Sequence, residues 1–286
     1  KLLTNKVGSI VAIDPKTGGV LAMASGPSFD PNDLTGSTRQ KKYANLALDV
    51  SAPLMNRAIR GLYEPGSTFK PIGGLVALDL GVINASYGVS CGGAYYGCSK
   101  VIRCEHHNPG HAANMRLALA NSCNSYFSQI YRLTIDNNKD RNVKKGYTRW
   151  KDYMNAFGWG QRLGVDLPNE LPGNIPDTTE YNKDYRGSWN SCTNVTLGIG
   201  QDKMQVTPVQ LANAMCIIAN KGYYYTPHFV EKIENETAKD TLLNKFREKH
   251  SALTHISDQD YEAIHAGMQD VVESGTARSA RIPGIS

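Results

Sequence analysis

Residues 7–14 (VGSIVAID) and 20–25 (VLAMAS) are two apolar runs on either side of PKTGG. Pro and Gly punctuate strands and close turns, so the stretch predicts a β-hairpin. The remainder of the chain reads mostly as helix. A hairpin succeeded by helices must bury its apolar face under them, which predicts an α+β fold with helices packed on a sheet. With 286 residues and 41% hydrophobic content, the chain can bury a sizeable core, as one large domain or two small ones.

The helices are marked by their ends. Residues 68–83 (TFKPIGGLVALDLGVI) predict a helix closing near Gly81, with Gly73-Gly74 as a weak spot or a close-packing site. Residues 115–134 read as helix, break, helix. Thr207 stands at an N-cap, with Pro208 first in the helix, Gln210 three residues after the cap and Gly222 past the end. Ser257 caps a further helix of 3.6-residue period, with Gly275 in the place of a terminating glycine. Residues 27–60 and 158–176 read as irregular connections. Residues 88–114 are rich in Gly, Cys and His with little periodicity, an insertion that something must staple.

The 31 basic and 26 acidic residues give a net charge of +5, spread along the chain without a Lys/Arg block. That argues against a nucleic-acid partner. No stretch reaches the roughly 20 apolar residues of a membrane span, and no leader is visible. The chain opens inside a folded pattern, so it is expected to be a piece of a longer protein whose anchor or leader lies outside it.

Within YEPGSTFKP, Ser67 precedes Lys70 by three residues at a predicted helix start. Positions i and i+3 share a helix face, so the lysine nitrogen can approach the serine oxygen. A serine hydroxyl is a poor nucleophile until a neighbour takes its proton. Lysine can do so only when neutral, and burial can lower its pKa of about 10.4 by 3–5 units. Ser122-x-Asn124 lies at the break between two helices, 52 residues beyond Lys70. Its hydroxyl can relay a proton to a leaving amine. Its amide can hold a substrate carbonyl, or the lysine, in register.

EPGSTFKP followed by SCN resembles the penicillin-binding transpeptidases, for which Ser-x-x-Lys is a signature. Residues 8–32, the stretch PLMNRAIRGLYEPGSTFKP, LGIGQDKMQVTPVQLANAM and GMQDVVESGTARSARIPGI are similar to class B penicillin-binding proteins, most of all the penicillin-binding protein 2 branch. The resemblance covers nearly the whole chain. It implies one transpeptidase domain over residues 1–286, an antiparallel sheet flanked by helices. It implies Ser67 as acyl-accepting nucleophile, Lys70 as general base, Ser122 and Asn124 as the second motif, and the Ser67 N–H as an oxyanion donor. The implied activity is a peptidoglycan D,D-transpeptidase of cell elongation. Stem peptides would be its substrates, β-lactams its inhibitors, a membrane glycosyltransferase its partner, and the periplasmic face of the inner membrane its location. A β-lactamase or β-lactam sensor of the same fold, or a scaffold domain without catalysis, are the alternatives.

The family also uses a Lys-Ser/Thr-Gly strand. ESGTA at 273–277 imitates it, but Glu273 falls in the last turn of a capped helix and would repel a substrate carboxylate. The third motif and its strands are therefore expected beyond Ser286.

Cys91, Cys98, Cys104 and Cys123 fall close together with His106, His107 and His111. Zinc takes four ligands of these types, and a loop with little apolar content gains order from one. The resemblance implies structural zinc on Cys91, Cys104, one histidine and Cys123. Gly110-His111 favours His111, and the spacing Cys104-x-x-His107 favours His107; the preference goes to His111. Disulfides such as Cys91–Cys98 or Cys98–Cys104 are the alternative. Cys192 and Cys216 read as core thiols.

Overall fold

The computed structural model describes residues 3–137, 141–234 and 243–284. The hairpin forms as expected. β1 (Gly8–Ile13) pairs antiparallel with β2 (Val20–Gly26), with a bulge between Ala12 and Ile13. Asp14 holds the turn, accepting the Lys16 N–H on Oδ1 and the Gly18 N–H on its carbonyl. Two smaller antiparallel ladders join β3 (Ala94–Tyr95) to β4 (Ile102–Arg103) and β5 (Tyr223–Tyr225) to β6 (Lys249–Ser251). Strand pairing among the described residues is thus spread over three ladders of two strands, with helices between them.

Residues 27–60 depart from the irregular connection expected of them. They hold α1 (Arg39–Leu48) and the single turn α2 (Arg57–Arg60). None of α1's residues is buried, so its apolar side chains, Tyr43 and Leu48 among them, pack into no core. α2 is started by the Asn56 side chain, which accepts the Ala58 N–H, and packs on β1 and β2.

A 3-10 turn, Gly66–Phe69, leads into α3 (Lys70–Asp79), eight of whose ten residues are buried. The glycine pair in α3 is a packing site. A Cβ on Gly74 would come within 3.0 Å of Met115 Sδ. α4 (Met115–Ala120) and α5 (Asn124–Asp136) are the expected helix, break, helix. α6 (Val143–Ala156) and α7 (Thr178–Asp184) complete an aromatic core. In it Tyr131, Tyr147, Trp150, Tyr181 and Trp189 lie with ring centroids 5.3–5.7 Å apart. Phe69 extends this core, 6.2 Å from Trp150 and 5.9 Å from Trp159. Burying such a ring contributes about 1.5–3 kcal/mol and fixes the turn that carries Ser67.

α8 (Pro208–Ala219) has the expected capping box of Thr207 and Gln210. Its end differs by one residue. Lys221, at φ +57°, takes the first left-handed position, and Gly222, at φ +110°, follows it, supplies the N–H to Ile217 and leaves room for the Leu253 carbonyl. After the one-turn α9 (Asn244–Arg247), α10 (Asp258–Glu273) begins on the Ser257 cap and runs along α4. Gly275 follows the C-cap Ser274 as expected and its N–H closes on the Asp270 carbonyl at 2.8 Å, though without a left-handed φ. It is required because a Cβ there would stand 2.1 Å from the Ala120 carbonyl oxygen. Among the described residues, no helix is long and apolar enough to cross a membrane.

Candidate active site

Ser67 is exposed on the 3-10 turn, and Lys70, 1% exposed, begins the buried helix behind it. Lys70 Nζ donates to the Ser122 carbonyl at 2.6 Å, Ser122 Oγ at 2.7 Å and Asn124 Oδ1 at 2.7 Å. Ser122 Oγ is in turn hydrogen-bonded to Ser67 Oγ at 3.1 Å. The four residues singled out in the sequence therefore meet in one chain of hydrogen bonds: Ser67, Ser122, Lys70, Asn124. Burial pulls the Lys70 ammonium down to about 8, although charge on Cys104, Cys123 and Glu105 pushes the other way.

The break between α4 and α5 places Ser122. The Ser122 N–H bonds to the Leu119 carbonyl and the Cys123 N–H to that of Ala118, closing α4. Ser122 occupies the left-handed position of that closure, at φ +47°, where glycine is the usual residue. Cys123 at once caps α5, its Sγ accepting the Tyr126 N–H at 3.4 Å. Ser122 alone separates the C-cap of α4, Asn121, from the N-cap of α5, Cys123, so its hydroxyl is aimed by both helices. Asn124 opens α5 and its amide orientation is set from outside. Nδ2 donates to the Arg103 carbonyl at 2.8 Å, which leaves Oδ1 for Lys70.

Ser67 is positioned from the 3-10 turn Val195–Ile199. Gly200, at φ +72°, accepts the Gly66 N–H at 2.8 Å, and a Cβ on it would be 2.2 Å from the Gly66 carbonyl oxygen. Only glycine permits this approach. Beside Ser67 opens a mostly apolar cleft of about 310 Å³ lined by Pro71, Leu119, Met215, Met268 and Val271. Thr276 and Ala277 also line it, so the ESGTA segment borders the site although Glu273, paired with Arg281 at 2.9 Å, closes α10. A Lys-Thr-Gly tripeptide does occur, at 16–18, but it forms the β1–β2 turn and is not among the residues lining this cleft.

Behind Asn124, the ligand atoms of Cys91, Cys104, His111 and Cys123 all lie within 4.8 Å of one another, and all four residues are buried. Cys104 Sγ is 3.9 Å from Cys123 Sγ and 3.7 Å from His111 Nε2. Such separations match the edges, about 3.8 Å, of a tetrahedron with bonds of about 2.3 Å. His111 Nδ1 is 2.5 Å from the Asn108 carbonyl and must donate to it, which leaves the Nε2 lone pair facing the thiols. His107 lies outside the group. Burial pushes the Cys104 and Cys123 thiols up. On Cys104 this is outweighed by the N–H groups of His106 and Asn124 and by the hydrogen bonds it shares with His111 and Cys123, and it falls to about 7. Burial keeps Cys123 well above the usual thiol range, helped by charge on Cys104 and Cys91.

The cysteine pairing differs from expectation. Cys98 is bonded to Cys192, 94 residues away, and not to Cys91 or Cys104. Cys91 and Cys104 face Cys123, while the β3–β4 turn carries Cys98 outward to the segment before Val195. Cys192 is thus a disulfide partner, whereas Cys216 is the buried free thiol expected. Sequence reading also missed the Arg103 carbonyl and Gly200. A backbone acceptor leaves no mark in the sequence, but the glycines of LGIGQ were a visible signal of close approach.

Residues 8–286 match the penicillin binding protein transpeptidase domain family, and the chain belongs to it. Within that family it is similar to the peptidoglycan D,D-transpeptidase MrdA of Acinetobacter baumannii, at 34% identity over 98% of this chain and 40% of that protein. It spans about two fifths of that relative's length. Its fold is similar to Pseudomonas aeruginosa PBP2 in complex with WCK 5153, with a TM-score of 0.79 and 33% identity over 97% of this chain and 60% of the other. It is similar also to Helicobacter pylori PBP2 in complex with MreC, with a TM-score of 0.80 and 27% identity over 99% and 49%.

Proposed function

We propose that this domain is the D,D-transpeptidase of a cell-elongation peptidoglycan synthase, working through an acyl-enzyme on Ser67. The observation that carries the reading is the unbroken chain from Ser67 Oγ through Ser122 Oγ to the buried Lys70 Nζ. Attack of Ser67 Oγ on the penultimate D-alanine carbonyl forms the acyl–oxygen bond. Its proton moves to Ser122 Oγ as the Ser122 proton moves to neutral Lys70. The C–N bond to the terminal D-alanine then breaks, and the leaving amine takes the proton back along the same path. An amine from a second strand reverses the sequence and carries off the acyl group. Asn124 keeps Lys70 pointed at Ser122 throughout. The carboxylate-binding Lys-Thr-Gly strand that the resemblance implies is not among the residues described around the cleft.

The reading extends to the longer protein: stem peptides as substrates, β-lactams as acylating inhibitors, a membrane glycosyltransferase as partner and no nucleic acid. It places this domain on the periplasmic face of the inner membrane. A similar solved chain, 27% identical with a TM-score of 0.77, belongs to a peptidoglycan synthase complex that coordinates polymerization and crosslinking, which supports a polymerising partner. Cys91, Cys104, His111 and Cys123 would hold zinc. Four protein ligands leave no open position for water, so the zinc supplies rigidity and no catalytic step. Its holders flank Asn124, and their fixed spacing keeps that amide against Lys70.

A fluorescent penicillin is expected to label the full-length protein covalently and to leave Ser67→Ala unlabelled. Equal labelling of the two would sink the assignment. Only neutral Lys70 accepts a proton, and its neutral fraction grows with pH, so the acylation rate should climb through about pH 8 and level off above it. A rate that is flat between pH 6 and 9 would remove Lys70 as the base.

A further inference from the structure

Behind the catalytic groups, one side chain and one covalent bond join segments that each end on the site. Arg132 lies on α5 about two turns beyond Asn124. Its guanidinium donates to Tyr95 Oη at 3.1 Å and the Gly97 carbonyl at 2.7 Å, both on the β3–β4 hairpin. It also donates to Ser191 Oγ at 3.2 Å, in the segment before Val195. Asp136 closes the network, accepting from Arg132 at 3.5 Å and from Ser191 Oγ at 2.7 Å. The Cys98–Cys192 bond joins the same hairpin to the same segment. The hairpin ends at Arg103, whose carbonyl orients Asn124. The segment ends at Gly200, whose carbonyl holds Gly66 beside Ser67.

We propose that Arg132 and the Cys98–Cys192 disulfide form a clamp that sets Ser67 against Asn124 and Lys70, so that reducing the bond slows acylation. The proposal rests on reading Ser67 as the acyl acceptor. Reduction by dithiothreitol transfers two electrons and two protons, leaving two protein thiols and the cyclic disulfide of the reagent. Without the covalent tie, the polar contacts described between hairpin and segment are those of the Arg132 network, which is partly exposed. Arg132 is here a positioning residue, since it touches no reacting atom. Lysine cannot replace it, because the separate acceptors need the guanidinium fork.

The test uses the full-length protein in four forms: oxidised, dithiothreitol-treated, Cys98→Ser/Cys192→Ser, and Arg132→Lys. Acylation by a fluorescent penicillin is resolved into its non-covalent affinity and its first-order acylation rate. Hydrogen exchange is followed at Gly66, Gly200 and Cys104. Reduction and the double variant should each lower the acylation rate by about tenfold, below the roughly 10²-fold that a 1 Å misplacement can cost. Arg132→Lys should also lower the rate, and affinity should hold in all forms. The double variant should no longer respond to dithiothreitol, which separates this bond from the thiols of Cys91, Cys104, Cys123 and Cys216. Exchange at Gly66 and Gly200 should quicken with loss of the bond. Unchanged rates in the reduced protein and the double variant overturn the clamp. So do exchange changes confined to the Cys98 turn, or affinity falling in step with rate. If penicillin labels Ser67→Ala as well as the parent, the reading of Ser67 fails instead, and exchange at Gly66 and Gly200 alone decides the clamp.

Discussion

Ser122 holds a backbone conformation that a residue with a Cβ adopts at a cost of order 1–3 kcal/mol. The reason is local: it is the one residue between the closure of α4 and the cap of α5, and that position turns left-handed. Its hydroxyl justifies the strain by standing between Ser67 and Lys70. Stability and activity should therefore part company at this position. Ser122→Gly is expected to raise the melting temperature slightly or leave it unchanged, while acylation falls by about 10²–10⁴-fold with loss of the proton path. A melting temperature lowered by several degrees would show that the hydroxyl's bonds outweigh the backbone term. Lys70 obeys the same logic. An ammonium that deep in the core is kept by three acceptors, and its lowered pKa results from the burial that puts it there.

At the scale of elements, the site is a meeting of ends rather than of faces. The start of α3, the joint of α4 and α5, the end of β4 and the 3-10 turn before Gly200 each deliver a backbone or side-chain group. Gly200→Ala should expose this dependence. Its Cβ would sit 2.2 Å from the Gly66 carbonyl oxygen, so the Ser67 turn must shift. Acylation is expected to fall at least tenfold, a fraction of what a 1 Å displacement can cost, while far-ultraviolet circular dichroism stays that of the parent. Unchanged acylation would show that Gly66 tolerates the shift. The insertion answers to a different control. A metal assay on freshly purified protein is expected to find about one zinc per chain, and chelation should make residues 88–114 the first to be cut by protease. Protein that is metal-free as isolated, with the insertion equally resistant, would remove the zinc proposal.

Over the whole molecule, what was legible in the sequence is what side chains announce. The hairpin showed as apolar runs around a Pro/Gly turn, α8 through its Thr207–Gln210 box, and α10 through Ser257. Ser67, Lys70, Ser122 and Asn124 were found as motifs and are brought together. What stayed hidden depends on the backbone or on distant segments meeting. The Arg103 carbonyl carries no letter of its own. Cys98 and Cys192 are 94 positions apart, and no local pattern pairs them. Gly275 was legible as the residue past the end of α10, but not the reason for it, which is clearance from the Ala120 carbonyl. α1 escaped notice because it lies in a polar stretch, buries none of its residues and starts at Thr38 without a side-chain cap.

That last helix has a practical corollary. A helix none of whose residues is buried, and whose side chains support no core, opens locally at little free-energy cost. The stretch around α1 is thus where the chain tolerates being lengthened, and a reporter domain spliced between Gly36 and Thr38 would ride on the molecule without disturbing the serine, the lysine or the clamp behind them.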